Sequence, residues 1–244
     1  MSARRTGATA LRVLRQLRHD PRTILLLLAV PFVLQVLVHE LFRDRPQVFQ
    51  SLGVPLLGLF PFVAMFIVTS ITMLRERTSG TLERLLTTPI ARGELLAGYA
   101  IAFALVATVQ ATLVSVVSFG LLGLESSHRL AVVALAIANA VLGMALGLFA
   151  SAFARTEFQA VQFMPAFVLP QILLCGLLVP REEMAGWLQA AAAVLPLTYA
   201  YDALARLADT EPLGARFWAD VVVVAGVTLL ALSLGAATLK RRTA

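Results

Sequence analysis

Ser79 and the three histidines of this 244-residue sequence, His19, His39 and His128, have the types that build a serine–histidine catalytic pair. A serine becomes a nucleophile when a neighbouring histidine takes its proton, and such a pair inside a bilayer would make an intramembrane protease. The serine lies in a basic polar stretch, and all three histidines stand at polar edges of apolar runs. The sequence therefore argues against this class of enzyme, and we expect no catalytic residue.

Three carboxylates towards the end of the sequence could instead suggest a metal site. Asp202, Asp209 and Glu211 stand close together in a mixed polar segment, and carboxylate oxygens are ligands that hard cations prefer. The same residues also suit helix caps and solvated loop charges. We expect these ordinary roles and no metal site.

The lysine content bears on ATP hydrolysis. The chain has 20 basic residues, and Lys240 is the single lysine among them. A phosphate-binding loop of the Walker type needs a lysine directly after its glycines to reach the terminal phosphates. Lys240 follows an apolar run, with only residues 241–244 after it. This chain is therefore not expected to hydrolyse ATP by that route.

The composition is that of an integral membrane protein. Hydrophobic residues make up 59% of the chain and charged residues 14%, against about 45–50% and about 25% in soluble domains. The formal charge of +6 could suggest nucleic acid as a partner. The basic residues cluster at the ends of apolar runs, however, as membrane topology requires, so we expect membrane lipid and no nucleic acid.

One polar stretch, residues 74–98, separates two apolar runs. Within it, Leu82, Leu85 and Leu86 fall at positions i, i+3 and i+4, which is one face of a helix. We predict a short amphipathic helix over residues 79–88, suited to docking on a partner; the alternative is an ordinary solvated loop. The charged residues of the stretch are Arg75, Glu76, Arg77, Glu83, Arg84, Arg92 and Glu94.

Six apolar runs are long enough to cross a bilayer, which takes about 20 helical residues. The predicted spans are residues 24–42, 53–74, 97–124, 130–153, 160–179 and 219–239. Residues 1–244 would then form a single all-α transmembrane domain.

Three segments connect or precede these spans. Residues 1–23 have Ala10, Val13, Leu14 and Leu17 on one side of a helix, with Arg12, Arg15 and Arg18 on the opposite side. They predict an amphipathic helix on the cytoplasmic membrane surface, with a disordered basic tail as the alternative. Residues 75–96 contain the predicted docking helix and would form the loop between the second and third spans, here called the coupling loop. Residues 180–218 hold two short helical patterns, separated by Pro196, that would lie in the outer interface or re-enter the membrane.

The distribution of basic residues predicts the orientation. Six spans put both termini on one side, which carries fourteen arginine and lysine residues, against six on the other. The excess marks the cytoplasmic face. We therefore expect a multi-pass protein of the cytoplasmic membrane, with both termini and the coupling loop in the cytoplasm.

The predicted spans have no ionisable side chain near their middle. A charge in that position is costly and usually marks a proton or ion path. Its absence argues against a proton-coupled transporter. Energy for transport would have to enter from outside the bilayer.

The order of several motifs resembles the ABC-2 type permeases, the membrane subunits of ATP-driven exporters. The family has a signature after its second span, and the matching residues here are Arg75, Glu76, Gly80, Thr81, Leu82, Glu83, Leu85, Pro89, Glu94 and Gly98. Residues 156–188 are similar to the family's fifth span and outer Gly-x-x-x-Pro segment, and residues 18–22 and 195–207 add to the likeness. Tyr99 stands where the family often has lysine. The daunorubicin-resistance-type permeases resemble the chain most.

The resemblance implies that helix 79–88 docks in a groove of an ATP-binding subunit, with the N-terminal helix beside it. The contact would use Arg75, Glu76, Arg77, Gly80, Leu82, Glu83, Arg84, Leu85 and Leu86. It also implies two copies of that subunit, which would hold ATP and Mg²⁺, and a second permease, identical or homologous. This chain would bind no cofactor itself.

Polar residues within the spans are candidates for the transport path. We select Gln35 on the first span and Gln162 and Gln171 on the fifth, because the resemblance implies that these spans line the interface between permeases. Hydrogen bonds between helices are the alternative role for each. Gly143 and Gly147 permit close helix approach, and we expect them to act within one subunit rather than between two.

The predicted function is a permease subunit of an ABC exporter that moves a hydrophobic or amphipathic compound, such as a drug, an antibiotic or a lipid. One alternative is a polysaccharide or lipid-linked glycan exporter, although two tryptophans and three tyrosines are few for a sugar channel. The other is a six-span channel or structural membrane protein with no ATPase partner.

Overall fold

The computed structural model describes residues 2–79, 91–208 and 213–238, with the backbone alone at Arg92. Within these ranges the chain is all-helical and has no strand. The α-helices are α1 (Ala3–Arg18), α2 (Pro21–Leu41), α3 (Pro46–Thr78), α4 (Arg92–Gly120), α5 (Arg129–Ala150), α6 (Glu157–Phe163), α7 (Leu169–Leu174), α8 (Gly186–Ala193), α9 (Pro196–Ala208) and α10 (Ala215–Ala237). A π-helical turn, Met164–Val168, joins α6 to α7, and a 3₁₀ turn, Arg181–Glu183, precedes α8.

Five of the described helices, α2, α3, α4, α5 and α10, are long and apolar enough to cross a membrane. The predicted span at residues 160–179 is not among them. Pro165 and Pro170 lack the amide hydrogen that an α-helix needs, and the segment is divided into α6, the π-helical turn and α7 before the helix ends at Leu174. The described residues thus support a multi-pass helical protein without confirming six spans.

The longest described helix, α3, forms the centre of the bundle. It starts before the predicted span 53–74 and continues through Arg75, Glu76 and Arg77, which were expected in a loop. The helix is 67% buried over its most apolar stretch, and it packs along α5.

Two glycines of α5 bring its backbone against α3. A Cβ atom at Gly143 would collide with the carbonyl oxygen of Phe62, and one at Gly147 would collide with that of Phe66. A side chain at either position would therefore force the helices apart. The Gly-x-x-x-Gly pair acts within this chain, as expected.

A proline inside α2 is compensated by the neighbouring helix α4. Pro31 has no amide hydrogen, so the carbonyl of Leu27, one turn earlier, lacks its usual helical donor. The Nε2 atom of Gln110 donates a hydrogen bond to this carbonyl oxygen at 2.6 Å. Gln110 is fully buried. Because hydrocarbon offers no substitute donor, this bond fixes α2 on α4.

Helices α8 and α9 cover the end of the bundle at which α4 ends and α5 begins. Helix α9 packs against α3, α5 and α10, and Arg206 of α9 pairs with Asp220 of α10. The hydroxyl of Ser126, in the turn between α4 and α5, donates to the carbonyl of Leu207 at 2.7 Å. Trp187 on α8 is exposed at this end, as is typical of an indole ring at a membrane–water interface.

Candidate docking site at the charged end of the bundle

Residues 80–90 are flanked in the chain by the end of α3 and the start of α4. Helix α1 packs against α4, and α6 packs against α3. Helix α3 ends where the amide of Ser79 donates to the carbonyl of Arg75 at 2.9 Å, and α4 begins at Arg92. The predicted docking helix lies almost wholly outside the described residues, as do its members Gly80, Leu82, Glu83, Arg84, Leu85 and Leu86. Their role stays a prediction, and the structure shows the frame that holds the segment's ends.

Glu76 on α3 is the centre of a buried charge cluster. Only 7% of this residue is exposed. Its Oε1 atom lies 3.5 Å from Nη1 of Arg12 and accepts a hydrogen bond from Nε2 of Gln16 at 3.2 Å. Arg12 and Gln16 are one turn apart on α1 and so share a face. Because a buried carboxylate needs a cation and donors, this cluster holds α1 against α3.

Arg12 also joins α1 to α4 through Tyr99. Its Nη2 atom donates to the Tyr99 hydroxyl, and its Cζ atom lies 5.6 Å from the centre of the ring. The expectation that Arg12 lies on the outer side of α1, with Arg15 and Arg18, was wrong, because Arg12 pairs with the buried carboxylate of Glu76 on α3. Where the resemblance implies a lysine at position 99, Arg12 brings a positive charge from α1 instead.

Glu94 fastens the amino-terminal end of α1 to the start of α4. Its Oε1 atom accepts from the amide of Ser2 at 2.5 Å, and its Oε2 atom accepts from the amide of Ala91 at 3.1 Å. Nη1 of Arg5 lies 3.8 Å from Oε2. A carboxylate in the first turn of a helix satisfies free amides and faces the positive end of the helix dipole. Glu94 thereby caps α4 and also binds the amino-terminal end of α1.

Gly98, one turn further along α4, has a steric role. A Cβ atom at this position would lie 2.5 Å from Cβ of Thr9 and 3.0 Å from the carbonyl oxygen of Thr6. Only a residue without a side chain lets α1 approach so closely. Gly98 belongs to the motif that resembles the permease signature, and the close approach of α1 gives a physical reason for it.

Arg75 links α3 to α6 at the surface. Its Nε and Nη2 atoms donate to the two carboxylate oxygens of Glu157 at 2.8 and 3.0 Å. These hydrogen bonds lower the pKa of Glu157 below its ordinary value. Both side chains are more than half exposed, so the pair contributes about 0–1 kcal/mol to stability. Its effect is to orient α6 relative to α3.

The remaining predicted docking residue that is described is Arg77. It is partly buried, and its Nε and Nη2 atoms have no hydrogen-bond partner among the described residues. The sequence analysis expected the N-terminal helix beside the docking segment but did not identify Arg12 and Gln16 as the residues that join it to α3. Arg12 and Gln16 are one turn apart next to the apolar side of α1, and this spacing could have indicated a polar contact there. It did not identify Glu76 as their partner.

A shallow groove of 540 Å³ lies along α1 and includes Arg12 and Gln16 of the Glu76 cluster. The described residues that line it are Ala8, Leu11, Arg12, Arg15, Gln16 and His19. This mixture of apolar and cationic side chains is suited to contact with another protein chain.

The three glutamines predicted to line a path have different surroundings. Gln35 is buried and donates to a carbonyl oxygen of α3 at 3.1 Å. Gln171 is buried, donates to the carbonyl of Phe167 at 2.9 Å and accepts from the amide of Leu197 at 3.3 Å. Gln162 is exposed on α6. Gln35 and Gln171 thus form helix-to-helix or local bonds, and a path role for the three stays a prediction.

Asp202 is held by an arginine. Arg181 donates to its carboxylate, and burial raises the pKa of Asp202 to about 6. Asp209 and Glu211 lie outside the described ranges. In the parts of the chain that the structure describes, no group of three or more histidine, cysteine, aspartate or glutamate side chains could hold a metal ion.

Comparison with known proteins identifies relatives. A family model described as ABC-2 type transporter matches residues 5–207. The probable multidrug ABC transporter permease YbhR of Escherichia coli (strain K12) is 31% identical over 150 residues, which is 60% of this chain and 40% of that protein. The linearmycin resistance permease protein LnrN of Bacillus subtilis (strain 168) is 27% identical over 158 residues, covering 65% and 40%.

A eukaryotic protein shows the same likeness. ABC transporter G family member 20 of Dictyostelium discoideum is 26% identical over 147 residues, covering 60% of this chain and 20% of that protein. The matches therefore span at most 40% of the length of these relatives. The family model, by contrast, runs from the first turn of α1 to the last turn of α9 and includes Arg12, Glu76 and Glu94 of the charged end. The chain belongs to the ABC-2 type transporter family.

Proposed function

We propose that this chain is the permease subunit of an ABC exporter and docks through residues 79–88 on an ATP-binding subunit. The observation that carries the proposal is the pair of buried carboxylates, Glu76 and Glu94, one on each flank of that segment, which both bind α1. A segment anchored at both ends to the helix bundle transmits a displacement into the bundle. ATP and Mg²⁺ are held by the partner, since Lys240 cannot serve a phosphate-binding loop.

The complex that we propose contains two ATP-binding subunits and a second permease, identical or homologous. The most apolar stretch of α2 is only 17% buried and that of α10 is 28% buried, against 67% for α3. Surfaces so exposed and apolar need lipid or another helix as their neighbour. We assign part of the α2 surface to the second permease, as the resemblance implies for the first span.

We propose six crossings, with both termini in the cytoplasm. Residues 157–174 stay helical through α6, the π-helical turn and α7, and proline is tolerated in a membrane helix where neighbours re-satisfy the freed backbone groups. The excess of arginine on the α1 side supports the orientation.

The cargo that we propose is hydrophobic or amphipathic, such as a drug, an antibiotic or a lipid. The names of the relatives support this class, because one is called a multidrug permease and another a linearmycin resistance permease. Gln35, Gln162 and Gln171 are the proposed path residues. Transport is outward across the cytoplasmic membrane.

The experiment replaces Glu83 in the docking segment. We expect Glu83→Arg to abolish both co-purification of the ATP-binding subunit and stimulation of its ATPase activity, while the amount of chain in the membrane is unchanged. Glu125→Arg, an exposed charge at the opposite end of the bundle, is the matched control and should behave like wild type. Wild-type export by the Glu83→Arg chain, or transport without ATP, would overturn the proposal.

A further inference from the structure

An apolar crevice lies on the membrane side of the charged end, between α1, α2 and α4. Its volume is 220 Å³. The apolar side chains that line it are Leu14, Leu17, Ile24, Leu27, Leu28, Leu105, Val106 and Val109. Arg18 is the charged residue among the described residues of the lining. The crevice thus combines hydrocarbon walls with a single cationic group.

The crevice has a closed floor and an open rim. Leu27 on the floor is almost fully buried, whereas Leu105 and Val109 on the rim are 51% and 59% exposed. The floor is fixed by Gln110, which bonds the carbonyl of Leu27. An apolar cavity of roughly 150 Å³ is large enough to hold benzene, so this crevice can take a stretch of acyl chain. Its rim opens towards the lipid-facing side of α4.

The surroundings of the crevice carry positive charge that the described residues do not neutralise. Arg15, Arg18 and Arg22 are exposed and form no ion pair with the described part of the chain. The nearby acid, Asp20, is engaged as the N-cap of α2, accepting from the Thr23 amide at 3.2 Å and hydroxyl at 2.6 Å. Each arginine close to an anionic membrane surface adds to its attraction.

We propose that this crevice binds one anionic phospholipid, with an acyl chain between α1, α2 and α4 and the phosphate on the guanidinium of Arg18. A free phosphate would leave the apolar walls uncovered. A zwitterionic lipid also has a phosphate for Arg18, but its headgroup cation would leave the surplus positive charge of Arg15, Arg18 and Arg22 without compensation. The bound lipid bridges α1 to the two spans, alongside the protein contacts of Glu76 and Glu94. This site is independent of the ATP-binding partner.

The first test measures headgroup selection. The full chain is purified in detergent with equal amounts of phosphatidylglycerol and phosphatidylcholine, and retained lipid is counted by native mass spectrometry. We expect wild type to keep one phosphatidylglycerol in preference, and Arg18→Gln to lower the retained phosphatidylglycerol about fivefold. Arg4→Gln, exposed on the same helix but outside the crevice, is the control and should retain wild-type selection. An equal loss in both variants would show diffuse attraction and overturn the site.

The second test measures the acyl-chain contact. Val109→Trp fills the rim, and we expect it to lower phosphatidylglycerol retention as strongly as Arg18→Gln. Val116→Trp, exposed on the same helix and outside the lining, is the control. Retention unchanged by Val109→Trp would overturn the proposal, as would displacement of the lipid by inorganic phosphate alone. Both substitutions are at exposed positions, so folding is preserved in the comparison.

Discussion

Glu76 and Arg12 depend on each other because both are partly withdrawn from water. Removing one member of such a pair leaves the other charge without compensation, which is far more costly than the pair is favourable. The exposed pair of Arg75 and Glu157 differs, because water replaces a lost partner there. The chain therefore offers a buried and an exposed ion pair at the same end of α3.

A double-mutant cycle at each pair compares them. With Glu76→Gln, Arg12→Gln and the double variant, we expect a coupling energy of about 1–3 kcal/mol in the free energy of unfolding, measured in mild detergent. The matched cycle at Arg75 and Glu157 should give less than about 1 kcal/mol. Equal coupling energies would contradict the assignment of Glu76 as the buried anchor of α1.

The raised pKa of Asp202 predicts that the stability of the folded chain depends on pH. Its pKa in the folded chain is about 6, above the ordinary value of 3.8, because burial disfavours the charged form. The folded state then holds the proton more tightly than the unfolded state, so this contribution to stability is full below about pH 4 and lost as the pH rises to about 6. The difference in melting temperature between wild type and Asp202→Asn should change across this window and stay constant above it. Parallel curves for the two proteins would refute the prediction.

Helix α2 is held in place by a bond that its own proline makes necessary. We expect Gln110→Leu to destabilise the chain by about 1–2 kcal/mol, because the carbonyl of Leu27 loses its donor in an apolar environment. In a Pro31→Ala background, residue 31 supplies an amide to that carbonyl, so the same substitution should cost less. The free energies of unfolding of the four proteins measure this. An equal cost in both backgrounds would show that Gln110 acts by packing alone.

The helices of this chain were predictable because long apolar runs leave few alternatives. The positions at which the helices end were less predictable. Helix α3 continues through Glu76 because contacts with α1 stabilise the last turn, and those contacts join residues distant in the sequence. The run at 160–179 has the composition of a span, but composition does not show how Pro165 and Pro170 divide it.

The candidate docking site was predictable only in part, because some of its contacts also join residues distant in the sequence. The charged stretch could be recognised from its contrast with the apolar runs beside it. The partners of its carboxylates could not, because Arg12, Gln16 and Ser2 belong to a separate helix whose placement depends on packing at Gly98.

At the scale of the whole molecule, ion pairs lie at the two ends of an apolar bundle. One end has the Glu76 and Glu94 contacts, and the other has Arg181 with Asp202 and the α9–α10 pair. This arrangement suits a bundle whose middle lies in hydrocarbon and whose ends reach water.

Labelling from one side of the membrane tests the orientation. In a Cys175→Ser background, Ala3→Cys and Glu182→Cys place exposed thiols at opposite ends. A membrane-impermeant maleimide added to intact cells should label Glu182→Cys, and Ala3→Cys should react only after permeabilisation. The cysteine-free chain is the control for background labelling. The reverse pattern would show that α1 lies outside the cell.

The glycine contacts between α3 and α5 limit how this bundle can rearrange. At Gly143 and Gly147 the backbones of α3 and α5 are in direct contact, with no side chains between them. A small shift of α5 along α3 would therefore bring Cβ atoms of neighbouring residues into contact with carbonyl groups. We therefore expect α3 and α5 to move as one rigid body. Leu204 of α9 packs directly on Gly58 of α3, which joins α9 to this pair of helices. If residues 79–88 dock on an ATP-binding subunit as proposed, we expect α3 and α5 to carry a displacement from the charged end together towards the opposite end of the bundle.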